Sequence, residues 1–294
     1  MGANRIRRAF RPYDRPRPWP SRQVARSVQY VLDLTRNWEI GFHDAEIADW
    51  ICGRHVLELG PGPDLGTGLI LLARGASSYV AVDRFPLLGS TPAAFYELLL
   101  QRIANEPHAG RAAAAYEAFR RGTEDGDLRY VLLTDDPRSI ARPQGPPADL
   151  WLSHAALEHV AEPLPLLRTL SSWCAGGALA LHHVDAATHT PWIRDADPLN
   201  ILRYGDRLYK VLSFPGSPNR WRSRQFVDCF ESLGWTLLDD QPVHRLSERS
   251  LEHVRPALAR RFRGLDAEEL AMCSFRLVLR KERRTVNGGE PRVT

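Results

Sequence analysis

A chain of 294 residues, 44% hydrophobic and 25% charged, has the balance of an ordinary soluble globular protein and ample apolar content for a core. Its formal net charge of +4 is too small to mark a nucleic-acid binder by itself, and Lys210 and Lys281 are the only lysines among 39 basic residues, an arginine bias expected from codon usage more than from function. Cys52, Cys174, Cys229 and Cys273 form no C-x-x-C pair, which speaks against structural zinc and a disulfide framework and suits a reducing cytoplasm. No apolar run approaches the ~18 residues of a membrane span, and the first residues lack the apolar stretch of a signal peptide, so a cytoplasmic protein without membrane contact is expected.

Three parts are predicted: a basic arm at 1–22, a folded domain at 23–285 and a flexible tail at 286–294. The arm carries Arg5, Arg7, Arg8, Arg11, Arg15, Arg17 and Arg22 among prolines, and it cannot bury enough apolar area to fold alone. It reads either as a ligand for an anionic partner or, the reading favoured here, as a solvated tail or a strap held by Phe10, Tyr13 and Trp19. Residues 22–37 have helical apolar spacing through Val24, Val28, Val31, Leu32 and Leu34, and a second helix is predicted at His43–Ile51. The apolar run His55–Leu59 then reads as a buried strand that enters Gly60, Gly62 and Gly66, with a helix starting near Thr67. A strand, a glycine turn and a helix in that order open a nucleotide site in α/β sheets, because the missing side chains let a ligand approach the backbone and the first amides of the helix. A second strand, Ser78–Val82, ends in Asp83, 21 residues past Gly62, where such folds place the acid that accepts ribose hydroxyls.

Further on, Thr91–Ile103 and Ala112–Phe119 read as helices, and Tyr130–Leu133 as a short strand ending in Asp135 and Asp136. Asp149–Ser153 is the fourth strand, and Pro163–Trp173 a helix closed by Gly176-Gly177. Ala178–Leu181 is a fifth strand that delivers His182-His183-Val184-Asp185 to the crevice. Ser223–Leu233 is a helix closed by Gly234, Trp235–Leu238 a sixth strand, and Met272–Leu279 the last. Residues 247–270 read as helical, with Asp266-x-x-Glu269 as a capping box. Two insertions, 186–221 and 244–270, fall on the substrate side. The first holds His189, Trp192, Asn200, Arg203, Tyr204, Asn219, Arg220 and Trp221, the make-up of a pocket wall. Alternation of strand and helix along the whole chain argues for a single doubly wound, Rossmann-like α/β domain with helices on both faces of the sheet.

The glycine spacing G-x-G-x-x-x-G is one residue too long for the dinucleotide fingerprint, and Glu58, two residues before Gly60, would repel a pyrophosphate but suits a ligand carrying an ammonium. S-adenosylmethionine, with a ribose, an ammonium and a sulfonium and no phosphate, fits Glu58 plus Asp83 better than NAD does. Val56-Leu57-Glu58-Leu59-Gly60-Pro61-Gly62, Val80-Ala81-Val82-Asp83 and Asp149-Leu150-Trp151-Leu152-Ser153-His154-Ala155-Ala156-Leu157-Glu158-His159-Val160 together resemble the class I S-adenosylmethionine-dependent methyltransferases, in particular the bacterial small-molecule group with a type 11-like core. The resemblance covers residues 50–185 well and the rest loosely, and Asp64 stands where many members of the family have a third glycine.

That resemblance implies a seven-stranded, mostly parallel sheet with its last two strands as an antiparallel hairpin at the edge, and a leading helix over the cofactor. It places Glu58, Gly60, Gly62, Asp83 and the adjoining Arg84 around S-adenosylmethionine, and it makes Asp135 and Asp136 candidates for the adenine amino group, the other reading being an Asp-Asp-Pro turn without a ligand. Ser153 and His154 join the cofactor set because ligands bind beyond strand C-termini. His159 matches the family's Glu-His pair and is read first as structural.

Methyl transfer from a sulfonium is an in-line displacement for which the protein supplies alignment, and a hydroxyl acceptor also needs a base, a role that suits histidine. His183, Asp185 and His189 are the catalytic candidates. They resemble a His-x-Asp-x-x-x-His signature of some bacterial relatives, which often carry another acid where this chain has Thr188. Neighbours on a strand face opposite ways, so His183 and Asp185 share a face that His182 does not. Three readings stay open: a base held by Asp185, a metal bound by the two histidines and the carboxylate, or a hydrogen-bonded structural corner. The first is favoured and no metal is assigned. Arg203, Tyr204, Asn219 and Arg220 are the substrate-binding candidates, with the arginines as carboxylate or phosphate clamps and, against that, an ion pair such as one with Asp206.

The function expected is methylation of a small-molecule acceptor, most readily at a hydroxyl oxygen. A nucleic-acid or protein methyltransferase is the alternative, and nucleic acid is disfavoured because Ser153-His154-Ala155-Ala156 is not the Asp/Asn-Pro-Pro-Tyr of amino-methylating enzymes. A non-catalytic cofactor-binding scaffold is a further alternative. An oxidoreductase lacks any Tyr-x-x-x-Lys pair, and a hydrolase lacks a G-x-S-x-G elbow. The identity of the acceptor and the oligomeric state are not legible.

Overall fold

The computed structural model describes residues 23–123, 126–134, 136–214 and 216–283. The arm at 1–22, the tail at 286–294 and Asp135 lie outside the described residues. Strands β1 (His55–Leu59), β2 (Ser78–Asp83), β3 (Leu128–Leu132), β4 (Ala148–His154), β5 (Cys174–Asp185), β6 (Trp235–Arg245) and β7 (Met272–Lys281) form one sheet in the order β3-β2-β1-β4-β5-β7-β6. Pairings from β3 to β5 are parallel, and β7 runs antiparallel to both β5 and β6. This is the doubly wound sheet predicted from the alternation, with the antiparallel hairpin of β6 and β7 at one edge. Central strands such as Val56–Leu59 and Leu150–Ser153 are buried on both faces and read as near-continuous apolar runs for that reason.

Helices α1 (Val24–Asp44), α2 (Gly66–Ala73), α3 (Ala93–Arg102) and α4 (Ala109–Arg120) cover one face. They share an apolar cluster with the sheet that includes Val28, Trp38, Leu69, Tyr79, Phe95 and Leu181. On α1 the buried positions Val28, Val31, Leu34, Thr35, Trp38 and Phe42 keep the spacing of one helical face. Helices α5 (Pro163–Ser172) and α6 (Ser223–Glu231) cover the other face, over Trp151, Phe230, Trp235 and Phe275. The segments 186–221 and 244–270 meet in a third apolar cluster, in which Ala187, Leu199, Ile201, Leu202 and Tyr209 of the first pack with Leu251, Val254, Leu258 and Phe262 of the second.

Three local expectations are corrected. No helix forms at 43–51: α1 runs on to Asp44, the amides of Glu46 and Ile47 turn back onto the carbonyls of His43 and Phe42, and Glu46 takes φ 60°. Its last carbonyls are thereby satisfied and the chain cannot continue helically. Gly176 and Gly177 do not close α5 but lie inside β5, where Gly177 (φ 88°) sits in the register shift against Ala148 and Leu150. Residues 247–270 are broken into four short helical pieces, Glu248–Val254, the 3-10 turn Arg255–Ala257, Arg260–Arg263 and Ala267–Ala271, and the last is capped by Asp266, whose side chain accepts from the amides of Glu268 and Glu269.

Gly68 is where α2 lies closest to the sheet: a Cβ there would stand 2.5 Å from the ring of Tyr79, which is fully buried. Gly68→Ala is expected to lower stability by ~1–3 kcal/mol through overpacking, read as a shift of the denaturant midpoint at unchanged slope. A midpoint equal to wild type would mean that α2 is free to move away from β2.

Candidate active site

Strand order reverses between β1 and β4, so the crevice of the sheet opens beyond their C-terminal ends. Its floor is the loop after β1. Gly60 (φ 74°) and Gly62 (φ 81°) both adopt left-handed backbone. At Gly60 an added Cβ would stand 2.7 Å from the Cβ of Ala156, because the loops after β1 and β4 touch there, whereas at Gly62 it would meet nothing within 4 Å. The loop is thus pressed against β4 at its first glycine and faces open space at its second. Asp83 closes the far side: its carboxylate accepts the amide of Phe85 at 2.9 Å and the amides of Gly62 and Arg84, tying the loops after β1 and β2 together. Burial, only partly offset by these amides, holds its pKa above the usual carboxylate range.

Glu58 sits behind the loop, on the α1–α4 face, and is buried. Its Oε2 accepts from the hydroxyls of Thr67 and Tyr79, each at 2.7 Å. Asp64 lies beside it and accepts the amide of Gly66 at 2.8 Å. Burial pushes Glu58 and Asp64 each up to about 7, Asp64 and Asp83 adding to the effect on Glu58. Tyr30 of α1 reaches over this corner. It is 46% exposed and packs edge-on against His154, and its phenol is raised first by burial and then by Glu58 and Asp64. The leading helix therefore does cover the crevice. Arg84 is exposed beside the Phe85 ring.

The remaining cofactor candidates part company. His154 lies at the rim, but Ser153 is fully buried and its Oγ is 2.8 Å from Nδ1 of His182, itself packed flat on Phe230 behind the sheet. Ser153 therefore turns its side chain away from the crevice. Asp136 is exposed, caps the turn Pro137–Ser139 and pairs with Arg138, which is the Asp-Asp-Pro turn reading.

The catalytic candidates do not form a triad. Asp185 is bound by both guanidinium nitrogens of Arg194, at 2.5 and 3.1 Å, and accepts the amide of Ala187, so it orients neither histidine. His183 instead pairs with His154, Nδ1 to Nδ1 at 2.9 Å, with their rings 4.3 Å apart. Burial, followed by the neighbouring His183, pushes His154 down to about 4; burial likewise lowers His183 against the pull of Glu158 and Asp185. His189 turns towards Glu158, with Nε2 3.9 Å from Oε1. Burial opposes its charge, but the contact with Glu158 prevails and its pKa is raised.

Each of the four substrate-binding candidates has a partner within the protein. Arg203 binds Asp197 at 2.6 Å, and Tyr204 donates to Asn200. Asn219 holds the turn after β4 through the carbonyls of Leu157 and Val160, both at 2.9 Å. Arg220 is 4% exposed, lies 3.7 Å over the ring of Tyr209 and pairs with Asp206 at 2.7 Å, as the ion-pair reading had it. Trp192 of the same insertion remains 70% exposed.

Tyr30 and Tyr79 escaped the sequence reading, and Asp64, Thr67 and Glu158 were named in it without a role at the site. Tyr30 falls off the apolar stripe of α1, and nothing in the sequence singles it out.

The raised carboxylates make stability fall with pH. Below the ordinary range near 4, Glu58 and Asp64 are protonated in both folded and unfolded chains; between there and about 7 only the folded chain keeps the protons, so their contribution is lost as pH rises through about 7. The melting temperature is expected to drop between pH 5 and pH 8 in the wild type and to drop less in Glu58→Gln. Parallel profiles for the two proteins would show that Glu58 is already ionised in the fold.

No protein-family model matches the chain, and no curated protein matches it. Among solved structures it is similar to an S-adenosylmethionine-dependent methyltransferase from Mesorhizobium loti, at 15% identity over 81% of this chain and 98% of that one, with a TM-score of 0.43. It is also similar to the [4+2]-cyclase SpnF, at 15% identity over 79% of this chain and 76% of that one, with a TM-score of 0.40. A third similar structure is the YcgJ protein from Bacillus subtilis, at 12% identity over 85% of this chain and 100% of that one, with a TM-score of 0.40.

Proposed function

We propose that the chain is an S-adenosylmethionine-dependent methyltransferase acting on a small-molecule hydroxyl. The observation that supports this reading is the junction at the switch point, where Gly62 presents bare backbone to open space and donates its amide to Asp83, an arrangement that suits a nucleoside. Asp83 would accept the ribose hydroxyls with its remaining lone pairs. Once ionised, Glu58 and Asp64 behind the loop set a negative potential that favours a cationic ligand and disfavours a pyrophosphate. The quoted sequence motifs point the same way. When bound, S-adenosylmethionine supplies a methyl group activated by a sulfonium for in-line transfer.

His154 and His183 lie on the C-terminal ends of β4 and β5 and are the base candidates. Their lowered pKa values keep both rings neutral at physiological pH, so one ring can take a proton from an acceptor hydroxyl while the other shares it through the Nδ1 contact. Tyr30 over His154 limits water at that point. Asp185 acts at one remove, by fixing Arg194 and the start of the insertion.

Calorimetric titration with S-adenosylmethionine, S-adenosylhomocysteine and, as control, NAD tests the cofactor. Micromolar binding of the first two is expected, with a loss of at least tenfold in Asp83→Ala; binding of NAD instead, or of none by folded protein, would sink the proposal. Once an acceptor is found, His183→Ala should lower kcat ~10²–10⁴-fold, the usual range for a lost general base, while leaving cofactor affinity near wild type. Because the pair is held neutral to low pH, the acidic limb of kcat should lie below the ordinary histidine range, near 6.5. A limb at or above that value would exclude His154 and His183.

A further inference from the structure

We propose that Glu158, His159 and His189 form a binding site for one divalent transition-metal ion at the rim of the crevice. Glu158 and His159 lie on the turn Leu157–His159 directly after β4, and His189 lies in the loop after β5. Adjacent parallel strands thus bring the three to the same edge of the sheet. One ligand atom from each lies within 4.8 Å of the others, and the two imidazole rings meet edge to face with centroids 4.8 Å apart.

Two independent features distinguish this corner from an ordinary polar cluster. The first is how the rings are held. Nδ1 of His159 is 2.8 Å from the carbonyl of Gly216, and Nδ1 of His189 is 2.9 Å from the carbonyl of Ala187. A carbonyl only accepts, so each ring carries its proton on Nδ1, and in the neutral form Nε2 keeps a free lone pair. Backbone carbonyls that fix the tautomer in this way are the usual outer support of metal-bound histidines. The second feature is Glu158, which is 1% exposed. Its Oε1 accepts the amide of Asp185 at 3.3 Å, while Oε2 is buried with no hydrogen-bond partner. A carboxylate oxygen left without a partner out of water is costly, and a cation offsets that cost. Among the described residues no arginine pairs with Glu158: Arg194 is held by Asp185 and Arg220 by Asp206.

The turn that carries two of the ligands is itself fixed. Asn219 donates its amide to the carbonyl of Glu158 at 2.7 Å and its side chain to Leu157 and Val160. Two imidazole nitrogens and one carboxylate oxygen suit zinc, iron(II), cobalt(II) or manganese(II) better than calcium or magnesium, and three protein ligands leave coordination positions for water or an oxygen of the acceptor. Bonds of ~2.1 Å set ligand atoms ~3.4 Å apart in a tetrahedral site, so binding draws the three together by about an ångström, within reach of side-chain rotation. This site is not the one the sequence offered: His183 and Asp185 are replaced by His159 and Glu158. The assignment does not depend on the cofactor reading.

The test uses the full chain, freed of metal by dialysis against a chelator and titrated with cobalt(II). A visible d–d absorption that saturates at a single ion per chain and is displaced by zinc is expected. His159→Asn and His189→Asn should each weaken cobalt binding by at least ~100-fold, the upper end of what loss of even an outer-shell partner costs. Glu158→Gln should do the same, and since it alters a buried group its circular dichroism is compared with wild type; His159→Asn carries the test if that variant does not fold. Absence of the band and of calorimetric zinc binding in folded wild-type protein overturns the proposal and leaves a protonated His189 as the partner of Glu158. Equal cobalt affinity in wild type and His159→Asn also overturns it. Neither result bears on S-adenosylmethionine binding, which is measured separately.

Discussion

Everything at the crevice depends on a steric constraint, the contact between the loops after β1 and β4. No side chain larger than hydrogen fits at residue 60, since its Cβ would overlap that of Ala156. With the two loops in contact, the backbone turns sharply enough to leave Gly62 facing outward, and its amide falls within reach of Asp83. The strand ends of β1, β2 and β4 are thereby joined into one rigid edge. That edge is built from backbone and short side chains, so a ligand held there would cost little side-chain entropy.

Behind that edge the acids follow a different logic. Glu58 faces α2 and is satisfied by two hydroxyls, Asp64 caps the entry to α2, and neither touches the other's hydrogen-bond donors. Their burial favours the protonated, neutral forms, and a nearby cation would draw them towards the ionised forms.

The sheet was legible in the sequence because its signals are local: apolar runs of strand length, glycines and prolines between them, and the 3.6-residue stripe of α1. The ends of elements were less so. The helix expected at 43–51 failed because a left-handed Glu46 is a tertiary outcome, and Gly176-Gly177 has the same sequence signature whether it closes a helix or bulges a strand. In the candidate site, Gly60, Gly62 and Asp83 were legible since backbone geometry demands them. Arg203, Asn219 and Arg220 were not, because a guanidinium or carboxamide that clamps a ligand and one that clamps its own chain look alike in sequence. Their partners, Asp197, the Leu157 carbonyl and Asp206, are defined only once the insertion has folded. His183 and Asp185 share a face of β5 but are taken by different partners, His154 and Arg194, and His189 lies past the end of the strand.

Arg222 has a consequence for how this chain can diversify. Its guanidinium, wholly out of solvent, donates to the carbonyl of Ala186 in one insertion, to Glu269 and Leu270 in the other, and to Met272 at the start of β7. The two insertions are far apart in sequence yet share this single cation as well as an apolar core. Exchanging either one alone for that of a relative would strand a buried charge, so the pair forms one heritable unit. Variation in this region would then come from replacing both segments together, while the sheet below stays as it is.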